Sequence, residues 1–154
     1  MNESLDALRR EFAFVVSEAL QWGDQDAYGH VNNATYFRYF ENARIPMLGK
    51  LGFFGAPPLT VAPILHSTSC RFRRPMVYPD TIHIGARISV LEPDRFHIEH
   101  RIVSETHGVV VADGGSILVA FDYLKRAKGQ VPEATRAAIA NIFPKVRLIS
   151  PGPR

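Results

Sequence analysis

Apolar and polar positions alternate with a period of two through most of the C-terminal half of the chain and follow a helical period before it. Phe12, Phe14 and Val16 alternate in a strand-like run from Phe12 to Trp22. From Asn33 to about Leu51, Tyr36, Phe40, Ala43 and Met47 fall at i, i+4, i+7 and i+11, one apolar helical stripe. Phe37, Ile45 and Leu48 widen that stripe, so this helix is expected to be covered on more than one side. Asn32 or Asn33 suits its start, and Gly49 or Gly52 its stop. Ile64–Arg74 has strand composition and ends at Pro75. In Thr81–Leu91, Ile82, Ile84, Ala86, Ile88 and Val90 share a face. After the turn signal Glu92-Pro93-Asp94, Phe96, Ile98, His100 and Ile102 do the same. Val109–Leu124 reads as a long strand holding Gly114-Gly115, a sign of a bulge or of close backbone approach. Pro132–Ile142 predicts a terminal helix with Pro132 in its first turn. Residues 1–10 read as a short helix or loose arm and residues 145–154 as a peripheral tail.

One strand, one long apolar helix and then four mostly antiparallel strands make an α+β plan. A curled antiparallel sheet of about five strands wrapped around the helix would bury that helix on several sides. The 154 residues fit a single domain with a core large enough to need neither disulfide nor structural metal. A net charge of +3, without long basic runs, argues against a nucleic-acid partner. Cys70 stands alone, which excludes an internal disulfide framework and a Cys-rich zinc site and fits the cytoplasm; it reads as a small core residue. The N-terminus carries no apolar leader. Leu51–Cys70 lacks charged residues, but Pro57, Pro58 and Pro63 break any membrane helix there, so it reads as an apolar loop entering a strand.

The stretch Gly23–Arg44 carries the chemistry. Its pieces Asp24-x-Asp26, Gly29-His30-Val31-Asn32-Asn33, Tyr36 and Phe40-Glu41-x-Ala43-Arg44 resemble the signature of hotdog-fold acyl-CoA thioesterases of the 4-hydroxybenzoyl-CoA thioesterase-like family. The resemblance implies a hotdog fold and hydrolysis of an acyl-CoA to the free acid and coenzyme A. It assigns the catalytic carboxylate to Asp26 and the carbonyl-polarising backbone amide, seven residues on, to Asn33. It further implies a homodimer or homotetramer with sites at subunit interfaces, and no metal or cofactor, coenzyme A being part of the substrate. Plant acyl-carrier-protein thioesterases, a more distant group, alternate Asp, Asn and His before the same Val-Asn-Asn. Here Asp26 and His30 match, but Tyr28 replaces the Asn, so His30 is a candidate without a full triad.

The chemistry is physically sensible. A carboxylate just before a helix can attack a thioester carbonyl or deprotonate a water that does so. Unpaired N–H groups at the helix start and the helix dipole favour the oxyanion that develops. Gly29 lets the chain turn close to substrate, Asn32 orders the loop or caps the helix, and Tyr36 lies beside them on the apolar stripe. Asp24 reads as a structural hydrogen-bonder, Tyr36 and Phe40 also as plain core, and Glu41 as an ion-pair partner of Arg38 or Arg44 or a rival catalytic carboxylate. Two basic groups suit the phosphates of coenzyme A: Arg71, Arg73 and Arg74, and Lys125, Arg126 and Lys128. The apolar 51–65 segment is a candidate acyl pocket lining. His97 and His100 should face opposite sides of their strand, which argues against a metal site, and no Gly-x-Ser-x-Gly elbow appears. The alternatives are an acyl-carrier-protein thioesterase and a module that binds acyl-CoA without hydrolysing it.

Overall fold

The structure, a computed structural model, describes residues 2–54 and 60–151. One curled antiparallel sheet has the strand order β1 (Phe14–Ala19), β3 (Thr81–Leu91), β4 (Arg95–Ser104), β5 (Val109–Asp122), β2 (Val61–Phe72). Short strands β6 (Ala127–Lys128) and β7 (Arg147–Leu148) add to β5 and, in parallel, to β3. The central helix α2 (Thr35–Lys50) lies across the inner face, α1 (Glu3–Glu11) packs on the outer face, and α3 (Glu133–Ile142) follows β6. This is the expected α+β architecture of a sheet wrapped around one helix.

The apolar stripe of α2 behaves as its spacing predicts. Tyr36, Phe40, Ala43 and Met47 are all buried, with Leu48 beside them, against Ile82, Ile84, Phe96, Ile98 and Ile102 of the sheet. Ile45 departs from the expectation: it is exposed, and Arg44 takes a buried place instead. Gly114 explains how closely α2 can sit. A Cβ there would fall 2.3 Å from the Phe40 ring and 2.5 Å from the Ser69 carbonyl oxygen. Close approach, one of the two roles expected for this glycine pair, is therefore the one it plays, since the strand register runs unbroken past it.

One expectation about the strands needs correction. Alternation places Val90 on the core face of β3, but the register shifts between Ile88 and Val90, so Leu91 is buried in its stead and Val90 is only half-buried. Of the two readings of residues 1–10, a short helix or a loose arm, the helix is the one that forms. Leu8 of α1 is fully buried with Phe12 and Val103 in a second, outer-face cluster. The tail remains hydrogen-bonded through Ile149, whose N–H donates to the Leu91 carbonyl.

Candidate active site

The loop between β1 and α2 is built around two aspartates with different duties. Asp24 is nine-tenths buried and holds the loop to the helix. Its Oδ1 accepts from Arg38 Nη2 at 2.5 Å, its Oδ2 accepts from the Tyr39 hydroxyl at 2.9 Å, and its carbonyl accepts from Asn32 N at 2.8 Å. Burial works against ionisation of Asp24, yet the bonds from Arg38, Tyr39 and the Gln21 N–H hold its carboxyl below the usual range. Burial and then the neighbouring Asp24 carboxylate push the Tyr39 phenol upward, so Tyr39 stays a donor. Asp24 is thus the structural member of the pair. Arg38, one of the two arginines considered for Glu41, is used by Asp24, and only Arg44 meets Glu41, at 3.4 Å.

Asp26 is half-exposed on a tight turn. Its backbone N–H donates to the His30 carbonyl and its carbonyl accepts from Gly29 N. Gly29 has φ +77°, the left-handed region in which glycine carries no Cβ penalty. Asp26 Oδ1 accepts from Tyr28 N at 2.8 Å, which fixes the carboxylate plane; Oδ2 has no hydrogen bond among the described residues. Asn32 does not cap α2 in the expected way. Its Oδ1 accepts from Ala34 N at 2.9 Å, its carbonyl accepts from Thr35 N, and Ala34 occupies the cap position without a side-chain bond. The N–H of Asn33 donates to no acceptor among the described residues. A free carboxylate oxygen and a free amide donor therefore flank the start of α2.

Asp26, His30, Asn32, Asn33, Tyr36, Arg73 and Arg74 line one groove of about 480 Å³, with Gly29 forming the turn behind it. Tyr28, Phe72 and Pro75 complete the wall, and the Tyr36 and Phe72 rings meet edge to face at 4.9 Å. Burial pushes the Tyr36 phenol up to about 12, so it is neutral and suited to hydrogen bonding. His30 is exposed, and no hydrogen bond joins its ring to the Asp26 carboxylate. The sequence marks Phe72 only as a strand residue between two arginines; its place in the wall follows from β2 ending beside the first turn of α2. Lys125 is not in this groove. It lies just beyond β5, held through its N–H by Asp122 Oδ1, near an apolar cavity of about 600 Å³ between the second half of α2 and the start of β2. That cavity has Phe54, Thr60, Ala62, Pro63 and Leu65 of the apolar 51–65 segment in its wall; residues 55–59 lie outside the described residues. Cys70 is half-buried, and burial raises its thiol to about 11, consistent with an inert side chain.

Comparison with known proteins speaks to the family and the fold. The family model of the thioesterase-like superfamily matches residues 20–139. The long-chain acyl-CoA thioesterase FadM of Escherichia coli (strain K12) is 31% identical over 98 residues, covering 63% of this chain and 74% of FadM. A thioesterase-superfamily structure from Jannaschia sp. CCS1 matches in fold with a TM-score of 0.81 at 24% identity, over 92% of this chain and 91% of that one. A Thermus thermophilus thioesterase, solved with coenzyme A and zinc, matches with a TM-score of 0.73 at 25% identity, over 85% of this chain and 94% of that one. With the family match running from the end of β1 into α3, and the hotdog architecture around it, the chain belongs to the thioesterase-like superfamily and is a thioester hydrolase.

Proposed function

We propose that this protein hydrolyses an acyl-CoA to the free acid and coenzyme A, with water as co-substrate, in the groove at the start of α2. One observation carries the reading: Asp26, with an Oδ2 free of hydrogen bonds among the described residues, lines the same groove as Asn33, whose N–H is likewise free among them. In the general-base form, Asp26 takes a proton from water as the water oxygen bonds to the thioester carbon. The Asn33 N–H donates to the resulting oxyanion. Collapse breaks the C–S bond, and the thiolate recovers the proton. In the nucleophilic form, Asp26 itself bonds to that carbon and expels the thiolate, and water then cleaves the mixed anhydride. Neither form calls for a metal or cofactor. His30, Asn32, Gly29 and Tyr36 shape the groove, while Arg73 and Arg74 offer cations to the phosphates of the substrate.

The same proposal makes the active form a homodimer, open to further assembly into a tetramer. β2 pairs only with β5, so its other edge is open among the described residues, with Ile64, Leu65 and Phe72 exposed along it. Antiparallel pairing of two such edges about mid-strand would set residues 60 and 61 of the partner opposite Arg73 and Phe72 of this chain. It would also bring the partner's Lys125 towards the Asp26 groove. No helix of the described residues is long and apolar enough to cross a membrane. We place the activity in the cytoplasm because of the single, unreactive cysteine.

The test is thiol release from a panel of aryl and aliphatic acyl-CoA esters. Wild type turns over at least one member, and Asp26→Asn, folding normally by circular dichroism, loses about 10²-fold or more of kcat. Unchanged turnover in Asp26→Asn overturns the site assignment.

A further inference from the structure

The outer face of the sheet, opposite α2, carries a polar groove of about 720 Å³. Its walls include Arg71, Arg73, Arg87 and Arg101, and Ser69 and Gly115 lie between them. Strand register explains the gathering. Arg71 on β2 pairs with Asp113 on β5, and Asp113 with Arg101 on β4. One row along, Ser69, Gly115, Glu99 and Arg87 are aligned across β2, β5, β4 and β3. Adjacent strands lie about 4.8 Å apart, so Arg71 and Arg101 stand about 10 Å from each other across the groove. The missing side chain of Gly115 keeps its floor low.

Three carboxylates face these four cations. Asp113 accepts from both Arg73 and Arg101, Glu99 from Arg87, and Glu11 from Arg101. Arg71 is exposed and has no acidic partner among the described residues. The ring of Phe12 lies under the guanidiniums of Arg87 and Arg101, at 4.7 and 5.7 Å, and holds them in place. The groove is thus a preorganised arginine site with one surplus cation and several unused N–H donors. Arg73 lines both this groove and the groove of Asp26, so the two are continuous around the end of β2.

We infer that the outer-face groove binds the phosphorylated nucleotide end of the thioester substrate, with the pantetheine arm passing Arg73 to reach Asp26. The inference rests on the acyl-CoA reading above and goes beyond it in joining Arg87 and Arg101, from β3 and β4, to Arg71 as phosphate ligands. Guanidiniums match phosphate geometry in pairs, and the paired carboxylates keep the site from collapsing when it is empty.

The experiment compares two thioesters with the same acyl group, one of coenzyme A and one of N-acetylcysteamine, which lacks the nucleotide. The measured quantity is the ratio of kcat/KM for the two. Arg71→Gln lowers that ratio about tenfold through KM for the CoA ester, Arg71→Gln with Arg87→Gln lowers it further, and Arg71→Lys restores part of it. Adenosine 3′,5′-bisphosphate competes with the CoA ester in wild type and competes more weakly in these variants. An unchanged ratio, or equal losses on both esters, overturns the groove. So does a ratio that responds to Lys125→Gln but not to Arg71→Gln, which would send the nucleotide to the other end of β2. Wild-type hydrolysis of both esters, with a ratio that none of the arginine variants changes, sinks the groove alone. Failure to hydrolyse either ester removes the thioesterase site itself and this inference with it.

Discussion

His100 shows how a residue legible by position can have a consequence that position does not reveal. Its place in the Phe96, Ile98, His100, Ile102 series puts it on the core side of β4, and it is 2% exposed there. The ring stacks on Phe40 at 4.6 Å, Nε2 lies 3.3 Å from Ser116 Oγ, and Nδ1 has no hydrogen-bond partner among the described residues. Burial, helped by the charge of Arg44, lowers its pKa to about 3. The unfolded chain takes up a proton near the ordinary value of about 6.5, where the native state does not. Stability from this group is therefore complete above about pH 6.5 and is lost as pH falls towards 3, by at most about 1.4 kcal/mol per pH unit. Denaturation midpoints measured from pH 7 to pH 4 should fall in wild type, and His100→Leu should flatten that fall. A short motif brings Asp26 and Asn33 forward as candidates, and both line the groove at the start of α2. The bonds from Arg38 and Tyr39 to Asp24 were not legible, because they join a loop to the second turn of a helix only after that loop has folded back.

At the scale of elements, the contact between α2 and β5 sets the tightest tolerance in the molecule. Gly114→Ala would drive a methyl group into Phe40 and the Ser69 carbonyl, and such overpacking costs about 1–3 kcal/mol. Chemical denaturation should register that loss, and Phe40→Leu should cost less in the Gly114→Ala background than alone, because one change makes room for the other. An additive pair would mean that the strand moves away instead. The elements themselves were readable: β3 spans the expected Thr81–Leu91, and the buried stripe of α2 is the one its spacing predicts. What periodicity missed were the places where it breaks. A bulge beside Val90 reverses the inside and outside of a strand without altering its composition, and α1 buries Leu8 against a surface that exists only once β3 and β4 are paired.

For the whole molecule, the arrangement of edges matters most. β1 and β2 are the outermost strands of the sheet, and among the described residues only β2 offers a long edge with exposed apolar side chains. Light scattering should report a dimer, and Ile64→Lys, which puts a charge into the exposed apolar part of the proposed seam, should shift it to monomer with loss of turnover. A monomeric wild type with full activity would remove the dimer from the proposal. The separation of Lys125 from Asp26 belongs to this scale too. Their types and motif context suggested one site, but they lie near opposite ends of β2, and a single chain gives no hint of what a neighbour supplies. The open edge of β2 also has a place in the life of each new molecule. Until a fresh chain meets its first companion, its unpaired amides and carbonyls are a template for any extended polypeptide nearby. Rapid synthesis raises the concentration of correct companions and of misfolded ones together. In the proposed dimer, the yield of this protein in a crowded cell would depend on how quickly two finished edges find each other.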